Sequence, residues 1–571
     1  MRRGRTTRIG ALDQLVGALL ALSYIAMLFL QSPELGMSRD ESFYVIAAQD
    51  YAGWIEQFVT GEGAMAQEVI DPAWDYNHEH PGLAKALFAI SWLAHQKYEL
   101  FPDDSTAFRF PGMVLSGLLL WLIYLFGARI FGRTAGLFAA VAFALMPRPF
   151  YHAHLCCFDV PITFALTLAT YAYWRSLTSR RWAFGFGIAF GIALAIKHNA
   201  WILPGVLLIH FLWMIVEQRR RGLPLEDPRR VSARPWWMLS MGLLGPAVFL
   251  LTWPWLWNDT LARLGWYVRF HTGHEYYNIA YLGTTWFRPP FPVHYPVLMT
   301  WFTVPMVTLA LAAYGLRMRF RAALPSAFTS RYWRRGKATP DPRCTDVLLI
   351  GSLLAPIVVI ALPSSPIFGG TKHWMPAYPF IAIYAGFGFW RLSEHLKELL
   401  RARLGTRRRL ESWATAGAFV ALMLPSAQAA AHSHPYGLSH YTFAAGGVPG
   451  AADLGLNRQF WGFTTGSLTE FFKERLPDGG TVWLCDTTDI AWRMLQRDGL
   501  IPANIRGSWS LSRADLVMVH HEDHFAEIDA QAWVAFGDAS PLHVLTYDGV
   551  PIISIYANPT GRAMRDEGEQ P

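Results

Sequence analysis

The chain alternates long apolar runs with short, strongly charged connections. Apolar runs fall at about 11–30, 108–128, 135–151, 158–175, 183–198, 200–216, 236–257, 296–316, 346–363, 374–391 and 412–429, each about 17–22 residues long. The pattern predicts an α-helical polytopic membrane protein with about 11 transmembrane helices. One apolar segment is too short to cross a bilayer. The stretch LAKALFAISWLAH, 83–95, has about 13 residues and carries Lys85 near its start. It reads as a helix at the membrane interface, with Trp92 suited to headgroup level. The connection between the first two spans then runs from about 31 to 107, a length that is usually functional.

Charge sets the expected orientation. Arginines crowd the N-terminus (Arg2, Arg3, Arg5, Arg8) and the segments Arg129–Arg133, Arg175–Arg181, Arg219–Arg234, Arg317–Arg343 and Arg391–Arg409. About eleven spans put all of these on one side, which the positive-inside rule makes cytoplasmic. The opposite connections are nearly free of Lys and Arg and face outward. The first run is too long for a signal-peptide core, and no small-residue cleavage site precedes Asp40, so it is expected to stay as the first helix.

Beyond the last span the character changes. Residues 431–571 are more polar, with strand-like runs (TVWLCD, ADLVMVH, HVLTYDGVPIISIYA) and an amphipathic stretch (DIAWRMLQRDGL). These predict a small extracytoplasmic C-terminal α/β domain after a membrane module over 1–430. An acidic tail from Thr560 is expected to fray.

Composition agrees with a membrane chain. Of 571 residues, 53% are hydrophobic and 16% charged, against about a quarter charged in soluble proteins. The net charge of +7 lies in the arginine-rich connections and does not point to nucleic acid. The four cysteines, Cys156, Cys157, Cys344 and Cys485, have no metal-ligand spacing, and the adjacent pair is poorly placed for a disulfide.

The unusual polar residues gather on the outward side of this topology. Asp40 and Glu41 (MSRDESFY) open the first outward connection. Its middle, DPAWDYNHEHPGLAK, holds Asp71, Asp75, His78, Glu79, His80 and Lys85. Arg148, His152, His154 and Asp159 surround the connection MPRPFYHAHLCCFDVP. Lys197 and His198 follow the fifth span, and Lys372 and His373 precede the tenth. Ionisable groups near membrane depth are costly and usually face a cavity or each other. Carboxylates and cations at one surface suit a substrate with an anionic part in the headgroup layer and a proton to lose. Each feature also has a plainer reading. Ser38 and Asp40 are good helix N-caps. Arg148 can snorkel to headgroups. The aromatics of the second outward connection, about 258–295, form an interfacial belt. His78 and Glu79 are the weak metal candidates, because an H-E-H run lacks a distant third ligand; a divalent cation stays possible and no cofactor is firmly predicted.

The order of features resembles the GT-C membrane glycosyltransferases, specifically the family-39-like group that includes protein O-mannosyltransferases and lipid A aminoarabinose transferases. The residues that carry the resemblance are RDES after the first helix, EHPGLAK, FGRTAG, MPRPFYHAHLCCFDVPITF, GGTKHWMPAYPFIAIYAG and HPYGLSHYTFAAGGVPGA, over about residues 10–465. The resemblance implies transfer of a sugar from a polyprenyl-phosphate-linked donor to an acceptor hydroxyl of a lipid, glycan or protein at the outer membrane surface. It implies inversion, with little or no dependence on metal, and together with the arginine-rich loops it implies the plasma (inner) membrane as the setting. It implies Asp40 as general base, Lys372 as the cation facing the leaving phosphate, and Arg148, Lys197 and His373 as weaker candidates for that task. Asp159 would orient sugar or acceptor, Glu41 would complete the catalytic carboxylates, and His80 and Lys85 would bind substrate. Two departures leave sugar and acceptor open: His80-Pro81-Gly82 where the family often has two prolines, and Lys372 where it often has Arg. The alternative is a transporter or flippase of a lipid-linked or anionic envelope precursor, which should show internal repeats and mid-membrane charges. A non-catalytic envelope scaffold is a third reading.

Overall fold

The structure is a computed structural model, and it describes residues 7–61, 63–220, 235–323, 341–522, 525–561 and 563. Arg2, Arg3, Arg5, most of the third and fourth arginine-rich connections and most of the acidic tail lie outside the described residues. The fold is an α-helical polytopic membrane module with a small C-terminal sheet domain. Among the described residues, four helices are long and apolar enough to cross a membrane: Ala11–Glu34, Asp104–Phe131, His198–Arg220 and Arg408–Ser433. The other expected runs also form helices, several of them shorter or divided.

Proline explains the divisions. The residue before a proline is pushed out of the helical region. Met146 is extended before Pro147, so the run expected at 135–151 splits into Arg133–Ala144 and Pro147–His152. Val304 is extended before Pro305, which separates Tyr295–Thr303 from Met306–Ala323. The run at 374–391 begins as a 3-10 segment, Gly370–Ala377, and continues as the helix Tyr378–Leu404.

Small residues let the helices approach closely. A Cβ on Gly386 would collide with the Ala135 carbonyl, and one on Gly388 with the Leu311 carbonyl. The helix Tyr378–Leu404 therefore packs, backbone to backbone, against two neighbours. Its first dozen residues are almost wholly buried.

The first long connection contains three helices, Arg39–Thr60, Gln67–Asp75 and Leu83–Tyr98. The second, read from sequence as an aromatic belt, contains the helix Thr260–Thr272 and a hairpin of β1 (Ile279–Tyr281) and β2 (Thr284–Trp286). In the C-terminal domain β3 (Gly480–Trp483), β4 (Ile505–Ser508), β5 (Leu516–His520), β6 (His543–Tyr547) and β7 (Val550–Ala557) form one sheet in the order β4-β3-β5-β7-β6. β3 runs parallel to β4 and β5, while β7 runs antiparallel to β5 and β6. The amphipathic stretch is the helix Asp489–Arg497, with Trp492 and Leu495 in the domain's own core.

Candidate active site

The acidic pair divides its labour at the start of the helix Arg39–Thr60. Ser38 is extended and caps this helix. Its amide and hydroxyl donate to Glu41 Oε2 at 2.9 and 3.0 Å. This is a capping box, in which the third helical residue reaches back to the cap. Arg109 then donates to both Glu41 oxygens, at 2.8 and 3.1 Å, and the Cys156 amide adds a bond of 3.0 Å. The remaining Arg109 donors go to the carbonyls of Ser32, Leu35 and Gly36. Burial alone would raise the Glu41 pKa, but Arg109 and the Ser38 and Cys156 amides hold it below the ordinary value. Glu41 and Arg109 are fully buried. Glu41 is a brace that ties three segments together, with both oxygens occupied. This departs from its expected place among the catalytic carboxylates.

Asp40 points elsewhere, because consecutive helical residues project in different directions. Its Oδ2 lies 2.7 Å from Lys372 Nζ. The Asp40 side chain keeps 19% of its exposure and Lys372 only 6%. Lys372 Nζ lies 4.4 Å from the Trp461 ring centre and 5.0 Å from that of Phe368. Gly369 and Gly370 are left-handed, with φ of 64° and 65°. A Cβ on Gly369 would lie 2.9 Å from Lys372 Nζ, and one on Gly370 would lie 3.0 Å from Arg148 Nη1. The double glycine thus supplies both the turn and the room for two cations.

A second pair lies close by. Lys197 Nζ is 2.8 Å from Asp159 Oδ1, and His152 Nδ1 is 3.4 Å from Asp159 Oδ2. Lys197 is extended at the break between the helix Arg180–Ile196 and the 3-10 turn His198–Ile202. Lys372 is near enough to act electrostatically on Asp159 as well as Asp40. The Asn199 side chain donates to the His373 carbonyl at 3.3 Å, and the His373 ring meets Phe368 edge-on. Arg148 is 1% exposed and rests on the rings of Tyr441 and Phe460. Its three guanidinium nitrogens make no hydrogen bond among the described residues. A buried cation so placed is suited to receive an anion.

The His-Pro segment plays a different part. Lys85 Nζ donates to the Asn77 and His80 carbonyls at 2.5 and 3.0 Å, pinning the turn that precedes its own helix. Burial lowers its pKa to about 7. His80 packs against Tyr44 and Phe158. His78 lies against Trp255 and Trp266, and Glu79 accepts from Asn77. Among the described residues, no three His, Cys, Asp or Glu side chains gather to hold a metal.

Sequence reasoning missed the part supplied by the C-terminal domain. Arg39 Nη1 lies 2.6 Å from Asp486 Oδ1, and the Arg39 amide donates to the Trp461 carbonyl at 2.8 Å. Ser42 Oγ lies 2.6 Å from Thr488 Oγ1. Burial lifts the Asp486 pKa to about 6, with Arg39 opposing. A carboxylate at the end of a parallel strand was the one available signal, since such ends are where α/β sheets place functional groups.

A small apolar crevice opens among the helices. Leu166, Ile202, Leu203, Val206, Pro356 and Phe380 line it, together with Asn199. Asn199 therefore touches both the crevice and the His373 segment.

Comparison with known proteins adds the following. Residues 80–255 match the family model described as dolichyl-phosphate-mannose-protein mannosyltransferase. The matched segment includes His80, Lys85, Arg148, Asp159 and Lys197, and excludes Asp40 and Lys372. No curated protein matches the chain. Among solved structures, apo ArnT from Cupriavidus metallidurans is similar at 15% identity and a TM-score of 0.48, covering 96% of this chain and 98% of that one. ArnT bound to undecaprenyl phosphate is similar at 15% identity and a TM-score of 0.45, covering 98% and 100%. The apo oligosaccharyltransferase of Archaeoglobus fulgidus is similar at 11% identity and a TM-score of 0.45, covering 92% of this chain and 71% of that one. The family match over residues 80–255 bears out the resemblance to the GT-C membrane glycosyltransferases.

Proposed function

We propose that the chain transfers a sugar from a polyprenyl-phosphate-linked donor to an acceptor hydroxyl at the outer face of the membrane. The observation that carries this reading is the 2.7 Å pairing of a half-open carboxylate, Asp40, with a buried ammonium, Lys372. A base for the nucleophile and a cation for an anionic leaving group stand side by side.

In this mechanism the lipid phosphate of the donor enters beside Lys372. The phosphate competes with Asp40 for the ammonium and leaves the carboxylate free to accept a proton. Asp40 takes the proton of the acceptor hydroxyl as the hydroxyl oxygen bonds to the anomeric carbon. The bond from that carbon to the phosphate oxygen breaks, and the electron pair leaves with the lipid phosphate. Attack from the face opposite the leaving group inverts the anomeric centre. Lys372 and the unpaired guanidinium of Arg148 neutralise the departing phosphate. Asp159, held by Lys197, orients sugar or acceptor hydroxyls. Glu41 positions the helix end that carries Asp40.

The test is transfer from a radiolabelled polyprenyl-phosphate sugar pool in membranes, comparing wild type with Asp40→Asn. The variant is close to isosteric and should lose about 10²–10⁴-fold in rate at normal expression and insertion. Full activity in Asp40→Asn would remove Asp40 from the chemistry. Failure of the wild type with every donor would end the transferase reading.

A further inference from the structure

The C-terminal domain grips the charged site from several directions. The Trp461 carbonyl accepts from the Arg39 amide, and the Trp461 ring covers Lys372. Asp486 holds the Arg39 side chain, and Thr488 holds Ser42. These contacts bracket Asp40: the residue before it is fixed by backbone and side chain, a residue after it by a hydroxyl, and its cation by an aromatic face.

The anchoring groups sit at a meaningful place in the sheet. β3 pairs with β4 on one side and β5 on the other, so the connections leaving β3 and β5 diverge at their carboxyl ends. Such crevices are where open α/β sheets place functional contacts. Thr465 fills this one, with its hydroxyl 2.6 Å from Thr487 Oγ1 and 3.2 Å from His520 Nε2. Trp461 and Cys485 are both left-handed, with φ of 64° and 53°. A Cβ on Gly462 would lie 2.9 Å from the Asp486 carbonyl, so the two segments are pressed together. Left-handed backbone at two non-glycine residues, one on each segment, persists only where the surroundings over-determine it. The Asp486 side chain is 2% exposed, and its Oδ2 has no hydrogen-bond partner. The Arg39 side chain keeps 40% of its exposure, and an ion pair with one partner this open adds little to stability, so stability alone does not account for it.

We propose that Asp486 and Trp461 are positioning residues of the transfer site: the C-terminal domain clamps Arg39 and Lys372, and so sets the approach of Asp40 to the acceptor hydroxyl. This rests on the glycosyl-transfer reading. A misplacement of about 1 Å can cost about 100-fold in rate.

The experiment uses the full chain in detergent micelles, with Asp486→Asn, Asp486→Glu and Thr488→Val. Two readouts are taken: steady-state transfer from a polyprenyl-phosphate sugar, and amide hydrogen exchange over residues 39–42. In Asp486→Asn, kcat should fall about 10–100-fold with the donor KM within about twofold, because alignment and not donor binding is lost. Exchange at residues 39–42 should rise about tenfold, and Asp486→Glu should restore part of both. Where Asp486→Asn does not fold, Thr488→Val reads the same clamp with a smaller loss. Unchanged exchange in the folded variants overturns the clamp, and raised exchange with an unchanged kcat overturns its catalytic consequence. A wild type inactive with every donor overturns the transferase reading, while exchange still decides the clamp.

Discussion

The Asp40 carboxylate and the Lys372 ammonium stand 332 residues apart in the chain and 2.7 Å apart in the fold. Each neutralises the other where water has little access, so neither can be replaced without exposing its partner's charge. Lys372→Met should lower transfer by about 10²–10³-fold through loss of leaving-group stabilisation. Lys372→Arg should keep part of the rate, since the charge survives while its shape changes. Initial rates of transfer in membranes with matched protein levels distinguish the two variants.

Glu41 predicts the opposite kind of phenotype. Replacing it by Gln leaves the Arg109 guanidinium buried with its charge uncompensated. Breaking a buried pair in this way costs about 3–5 kcal/mol. The expected result is a lower melting temperature in detergent and poor recovery of folded protein, with a larger loss of folded protein than of rate per folded molecule. Normal stability with lost transfer would return Glu41 to the chemistry.

A third prediction concerns pH and the seam between membrane module and sheet domain. Asp498 accepts from the amide and hydroxyl of Ser105, at 3.3 and 2.5 Å. Burial lifts its pKa from 3.8 to about 6, with the Ser105 bonds opposing. Between those values the folded protein holds this proton more firmly than the unfolded chain. Stability from this group is therefore full below about pH 4 and is lost as pH rises through about 6. Asp498→Asn removes the slope and can still bond Ser105, whose hydroxyl both donates and accepts. The melting temperature of the variant relative to wild type should be highest above pH 6, and its advantage should shrink toward pH 4. A constant offset across that range would exclude Asp498 as the titrating group.

Much of this architecture was legible in the amino-acid order. The spacing of apolar runs locates the helices, and the short apolar segment at 83–95 forms the helix Leu83–Tyr98. The alternating runs after residue 480 locate β3, β5, β6 and β7, while β4, with the polar IRGS, lacks that signal. The segments brought together in the site could be named in advance, but their pairing could not. Asp40 and Glu41 are neighbours in sequence, and only the rotation between helical residues sends one toward Lys372 and the other to Arg109. Arg109 lies in a run that reads as a spanning helix, and nothing nearby announces that it holds three carbonyls. Asp486 was hidden because a strand-end carboxylate in a separate domain gives no local sign of what that domain rests on.

The site draws its carboxylate from residue 40, its ammonium from residue 372 and its aromatic cover from residue 461. A ribosome delivers these in that order, with most of the membrane module threaded between the first and the second. An unfinished chain therefore presents Asp40 with no ammonium opposite it and no ring above. On the proposed reading, transfer would wait until synthesis and insertion are nearly complete, and truncated copies in the membrane would be inactive.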